Sequence, residues 1–273
     1  MADGTHREAA HRRHGRCIAV IAGAFSSPDA SHAHSLDTLT ALYEYDDFME
    51  SVGIMADLGC GTGLDLEWWA TRTTRDEQRR PLNIRCIGID RKSELPMAQR
   101  YPNIQYQSQD FETTLLRQKR RFDVLWCHDA FQYVIDPFAT LALWRHSMAR
   151  DGMLVLIVPQ STNLEHRTQA FDQRDFCYHN WTLVSLIHVL AVSGFDCRGG
   201  FFLKHPQDPW LHAVVYRSET EPRDPRSTTW YELADLGLLP ESACAGIRRH
   251  GYLRQRDLAL PWLDRGLRSY ANH

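Results

Sequence analysis

The sequence predicts an α/β fold: a seven-stranded, mostly parallel sheet with helices on both faces, an antiparallel terminal hairpin and a small helical C-terminal extension. Three observations predict it. Short Val/Ile/Leu-rich runs alternate with helix-like segments, and such continuous apolar strands belong to sheets covered on both faces. A burst of glycines at Gly59, Gly61 and Gly63 follows the first of these runs directly. The last two strand-like runs, 196–203 and 210–217, are joined by the turn-rich "KHPQDP", which marks an antiparallel pair.

The elements follow in order. Residues 1–34 are rich in His, Arg, Ala and Ser and read as a flexible arm. His6, His11, His14, His32 and His34 read as solvated, since "HAH" has no zinc-site spacing. From residue 35, Leu36, Leu39, Leu42, Tyr43 and Phe48 recur at helical spacing, with Ser35 as N-cap and Gly53 as stop. "IMADL" (54–58) is the first strand and 64–72 a helix. A polar loop leads to strands at 84–90, 104–107 and 122–127, with a broken helix at 93–102. A helix at 136–152, closed by Gly152, precedes a strand at 153–159 and a helix at 182–194. After 217 comes a charged, proline-containing linker. Short helices then form the extension 218–273, with Pro240 suited to a first turn and Gly251 to a stop. The extension reads as a cap, a lid or a homo-oligomer interface. The main domain is therefore expected over 35–217.

Composition narrows the function. Hydrophobic residues make up 43% of the chain, enough for a large core. A net charge of −3 argues against a protein whose main task is to grip nucleic acid. The basic run "RQKRR" (117–121) reads as a solvated face. Seven scattered cysteines without a C-x-x-C pair point to reduced thiols and no metal centre. No apolar run is long enough to span a bilayer, and "CIAVIAGAF" lacks a clean cleavage context, so a cytoplasmic protein without a membrane partner is expected.

The glycine stretch carries the functional signal. Parallel sheets bind ligands at the carboxyl ends of their strands, and glycine there lets bare main chain approach the ligand. The spacing G-x-G-x-G differs from the dinucleotide fingerprint G-x-G-x-x-G, whose third glycine would fall at Leu64. The acid Asp57, two residues before the first glycine, would repel a pyrophosphate and suits a ligand bearing an ammonium or sulfonium cation.

"DLGCGTG" resembles the glycine-rich motif of class I S-adenosylmethionine-dependent methyltransferases, and the resemblance extends over residues 36–216. It implies a Rossmann-like sheet and S-adenosyl-L-methionine as cofactor. It implies cofactor contacts from Asp57, Gly59, Cys60, Gly61 and Gly63, and from Cys127 at the end of the fourth strand. Asp90, ending the second strand, corresponds to the acid that accepts both ribose hydroxyls, against the alternative of an ordinary turn-capping acid. Gln109 and Asp110 follow the third strand, where the family has an acid near adenine; Glu112 competes for that role. Phe111 suits either adenine stacking or the core, and Tyr43 either closure over the cofactor or packing of its helix.

Methyl transfer needs alignment of the partners and, where the nucleophile carries a proton, a base. His128, leaving the fourth strand beside Asp129, reads as base, ligand contact or structural histidine; His179 is a second base candidate. The long polar and aromatic stretch 159–182 offers His166, Tyr178 and Trp181 as acceptor-binding residues, against an ordinary loop. No base-methyltransferase motif is present. The expectation is therefore methylation of an oxygen or nitrogen of a small-molecule acceptor. RNA or protein methylation and a non-catalytic scaffold are the alternatives.

Overall fold

The computed structural model describes residues 30–45, 48–92, 95–114, 121–161, 177–204, 210–258 and 260–263. Its centre is one sheet of seven strands: β1 (Ile54–Leu58), β2 (Arg85–Asp90), β3 (Ile104–Ser108), β4 (Phe122–His128), β5 (Met148–Pro159), β6 (Phe195–Lys204) and β7 (Trp210–Arg217). The order is β3-β2-β1-β4-β5-β7-β6. All neighbouring pairs are parallel except those of β7, which runs antiparallel to both β5 and β6. Chain direction across the sheet reverses between β1 and β4, the switch point where open α/β sheets form a crevice.

The helices are α1 (Ala30–Glu44), α2 (Phe48–Ser51), α3 (Leu64–Ala70), α4 (Pro137–Ser147), α5 (Leu183–Val192), α6 (Trp230–Asp235) and α7 (Glu241–His250). Alternation along the strands divides the core between the two faces. Leu125 and Cys127 of β4, with Leu154, Leu156 and Val158 of β5, pack with α4, α5 and the C-terminal helices. Val124 and Trp126, with Met153, Val155 and Ile157, pack with α1 and α3.

Several boundaries differ from the sequence reading, each for a physical reason. α1 starts five residues earlier, at Ala30, and Ser35 is buried inside it instead of capping it. Its hydroxyl donates to the side chain of Asp65 (2.6 Å), so a tertiary partner replaces the capping role. His32 is likewise buried, not solvated. The helix expected to close at Gly152 ends at Ser147, and β5 begins at Met148, pairing with Phe122. Asp136 caps α4, accepting from the N–H groups of Phe138 and Ala139. The broken helix at 93–102 shrinks to one 3₁₀ turn, Pro96–Gln99.

The C-terminal segment is built into the domain. Leu233, Leu238, Leu239, Ala243, Ile247 and Leu258 join the core on the α4/α5 face. Cys197 N–H donates to Leu238 O (3.0 Å) and Phe202 N–H to Pro261 O (2.9 Å), so this segment also covers the outer strand β6. Pro240 directly precedes α7, and Gly251 ends it in a left-handed conformation.

Candidate functional site

The loop between β1 and α3 opens at the switch point. Gly61 has φ 55°, and a Cβ there would meet nothing within 4 Å, so bare main chain faces open space. At Gly59 the reason for glycine is different: a Cβ would come within 2.4 Å of Ala130 Cβ. Gly63 precedes the first turn of α3, and its N–H donates to Cys60 O (2.8 Å).

A cavity of about 130 Å³ lies at this loop. It is lined by Asp57, Gly59, Cys60, Gly61, Thr62 and Leu64, together with Asp65 of α3, His128 and Asp129 after β4, and His32 of α1. Asp129 has φ 52°, a conformation that non-glycine residues adopt sparingly and often at functional sites.

Asp65 is the hub of the cavity. Its buried carboxylate receives His32 Nδ1 (2.5 Å) and the Ser35 hydroxyl (2.6 Å) on Oδ1. Trp126 Nε1–H (2.8 Å) and His128 Nδ1 (2.9 Å) meet Oδ2. Burial alone raises this carboxyl, but His128, acting by charge and hydrogen bond, and His32 outweigh that and hold it below the usual carboxylate range. Asp57 shows the opposite balance. Burial first, then the neighbouring charges of Asp65 and Asp90, push its carboxyl well above the ordinary value. Among the described residues no hydrogen-bond donor reaches it. Burial, reinforced by Asp57 and Asp90, also raises the Cys60 thiol, so Cys60 enters the site as a neutral small side chain.

Asp90 closes the loop from the β2 side. Its Oδ2 accepts from Gly61 N–H (2.9 Å) and its Oδ1 from Lys92 N–H (3.0 Å). Pairing of β2 with β3 brings Gln109 and Asp110 alongside, and Gln109 N–H donates to Asp90 O (2.9 Å). Asp110 is half exposed, pairs with Arg91 (3.2 Å) and accepts from Glu112 N–H (2.8 Å).

The remaining candidates divide. The side chain of Cys127 is wholly buried in the core and does not line the cavity. Phe111 is also a core residue, tilted against Trp144, although its ring edge approaches Gly59. Tyr43 does not reach the glycine loop: its hydroxyl donates to Thr73 O (3.3 Å) and accepts from Arg79, and its ring packs on Trp68. His179 and Trp181 line a second cavity of about 440 Å³ with Phe138, Ser185, His188 and Trp230. His179 lies against Trp181, which stacks on Phe131. Tyr178 is exposed. Gln132 links the cavities: its carbonyl accepts from the N–H groups of Tyr178 (2.9 Å) and His179 (3.1 Å), and its amide donates to Asp129 (2.6 Å). His166 lies outside the described residues.

Sequence reasoning missed Asp65 and His32. Asp65 reads as an ordinary acid in a first helical turn, where the helix dipole favours one. His32 precedes the first apolar repeat and so fell in the arm. Among the described residues no group of three or more His, Cys, Asp or Glu is arranged to hold a metal ion. No helix there is long and apolar enough to cross a membrane.

The fold is the Rossmann-like fold of class I methyltransferases. A family model described as a methyltransferase domain matches residues 56–156, which run from β1 into β5. No curated protein matches the chain. Among solved structures, a candidate S-adenosylmethionine-dependent methyltransferase from Listeria monocytogenes is similar at 15% identity and TM-score 0.51, over 68% of this chain and 99% of that one. The N-methyltransferase NodS from Bradyrhizobium japonicum WM9, solved with S-adenosyl-L-homocysteine, is similar at 13% identity and TM-score 0.50, over 68% of this chain and 88% of that one. The likeness to both is one of fold.

The cofactor of such a domain is S-adenosyl-L-methionine, and the residues fit it. Asp57, Asp65 and Asp90 bring three carboxyl groups to one glycine loop, and the electrostatic strain on Asp57 is the kind that a bound cation relieves. Each Asp90 oxygen, already accepting one backbone N–H, retains a lone pair for a hydroxyl.

Proposed function

We propose that the chain transfers a methyl group from S-adenosyl-L-methionine to an oxygen or nitrogen of a small-molecule acceptor. When bound, the cofactor supplies a methyl group already activated on a positively charged sulfur. The carboxyl groups of Asp57 and Asp90 favour that charge and the amino and ribose groups that accompany it. The bare main chain of Gly61 permits close approach. The cavity beside the loop is a place for the methionyl end, and Asp90, Gln109 and Asp110 lie along the neighbouring strand ends.

His128 serves as the base in this reading. The observation that carries the proposal is its bond to Asp65 in the same cavity as the glycine loop and Asp57. His179, with Trp181 and Tyr178, is assigned to acceptor contact, across the Gln132 link. The composition supports a small acceptor over nucleic acid, since the chain has a net charge of −3.

Two measurements test this. Calorimetry with S-adenosyl-L-methionine and S-adenosyl-L-homocysteine is expected to show binding that Asp90→Ala removes. Transfer of label from methyl-labelled cofactor in cell-extract fractions is expected in the small-molecule fraction. Label only in protein or RNA would replace the acceptor assignment, and no heat with either ligand would remove the enzyme reading.

A further inference from the structure

We propose that Asp65 is a positioning residue that holds His32 and His128 as a pair and fixes the tautomer of each ring. This rests on the methyltransferase reading above and deepens it. It names the acceptor class as molecules whose attacking atom carries a proton, a hydroxyl or a protonated nitrogen.

The geometry supplies the argument. A carboxylate held ionised accepts hydrogen bonds and donates none, so each imidazole nitrogen facing Asp65 carries its proton. That fixes both rings in the Nδ1–H form and makes Nε2 the basic nitrogen, the same division of labour by which a buried aspartate orients a catalytic histidine. His128 comes from the end of β4 and His32 from the first turns of α1, and both line the cavity that holds the glycine loop.

Among the described residues, two sets of polar side-chain contacts hold the first half of α1. One is the His32 and Ser35 contact with Asp65; the other is Thr38 Oγ1 against His212 Nδ1 of β7, at 2.7 Å. His32 and Ser35 of α1 supply two of the four donors on Asp65. The other ionisable groups lining the cavity with the pair are Asp57 of β1, Cys60 of the loop and Asp129 after β4.

The transfer then balances. The acceptor's oxygen or nitrogen gives its proton to His128 Nε2 and its electron pair to the methyl carbon. The electrons of the sulfur–methyl bond return to sulfur, leaving a neutral thioether. Asp65 stays ionised and stabilises the imidazolium.

The test uses the full chain labelled with ¹⁵N-histidine, and S-adenosyl-L-homocysteine as probe. Long-range ¹H–¹⁵N spectra, assigned with His32→Gln and His128→Gln, are expected to show both rings as Nδ1–H. In Asp65→Asn the ring that faces the amide NH2 is expected to switch to Nε2–H, while the ring that faces the remaining amide oxygen keeps Nδ1–H. Thr38→Val, which loosens α1 without touching Asp65, is expected to leave His128 as Nδ1–H. His32→Gln is expected to weaken the probe about tenfold and to leave the His128 tautomer in place, so a variant that retains Asp65 also reads the proposal. Unchanged tautomers in Asp65→Asn, or Nε2–H rings in the unaltered chain, would overturn it while leaving cofactor binding intact. Failure of the unaltered chain to bind the probe would instead remove the methyltransferase reading, and this proposal with it.

Discussion

The Gly61 N–H donates to Asp90 Oδ2 at 2.9 Å, tying the glycine loop after β1 to the end of β2. One carboxylate therefore shapes the loop and offers the acceptor oxygens for a vicinal diol. Removing it costs both functions. Hydrogen bonds to a charged group contribute about 1.5–3 kcal/mol, or roughly tenfold to a hundredfold in affinity. Asp90→Ala is expected to weaken S-adenosyl-L-homocysteine by at least that range in calorimetry. Asp90→Asn, which keeps one acceptor oxygen, is expected to lose less.

Asp57 carries a conflict between stability and binding. Its carboxyl is pushed up by burial and by Asp65 and Asp90, so the folded state holds a proton there more tightly than the unfolded chain does. Stability linked to this group is full below the unfolded value of about 3.9 and falls as pH rises toward the raised folded value. Asp57→Asn removes that cost. It is expected to raise stability at neutral pH by about 1 kcal/mol, or about 2–4 °C in thermal unfolding. The same variant is expected to weaken S-adenosyl-L-methionine more than its uncharged-sulfur product in calorimetry, because the lost charge faces a cation.

The strands were legible because their signal is local. β1 falls at 54–58 as read, and β2, β4 and β7 lie within a residue of their expected bounds, since each is a continuous apolar run. The glycine loop was legible for the same reason: acid, glycines and helix lie within ten residues. Asp65 and His32 were not legible as partners, because a 33-residue separation in sequence becomes 2.5 Å only once α1 packs on the face of the sheet. Gly152 misled for a related reason. It looks like a helix stop, yet β5 needs Met148 opposite Phe122, and that pairing ends α4 earlier. Tyr43 shows that an aromatic at helical spacing announces packing before it announces a ligand.

Asp65 predicts an acid-sensitive fold with a definite sign. Its folded carboxyl is held below the unfolded value by His128 and His32 against the opposing effect of burial. A depressed carboxyl stabilises fully above about pH 4 and loses that contribution as pH falls through the folded value. Thermal unfolding followed from pH 7 downward is expected to show Asp65→Asn less stable than the unaltered chain at neutral pH. The gap is expected to narrow below about pH 4. A gap that stays constant with pH would mean that packing, not charge, makes Asp65 matter.

Ile247 decides whether the C-terminal helices are an appendage or part of the core. It lies on α7, wholly buried among residues of the α4/α5 face. Leu238 and Pro261 of the same C-terminal segment accept hydrogen bonds from β6, so loosening this segment uncovers a strand edge as well as apolar surface. An Ile→Ala change in a packed core costs about 2–5 kcal/mol, whereas one on a loosely attached tail costs under about 0.5 kcal/mol. Ile247→Ala is therefore expected to lower the unfolding temperature of the whole domain by about 5–15 °C in a single transition. It is also expected to raise the tendency to aggregate, measured by light scattering near that temperature. A separate early transition, with the main one unmoved, would show that the extension folds on its own account.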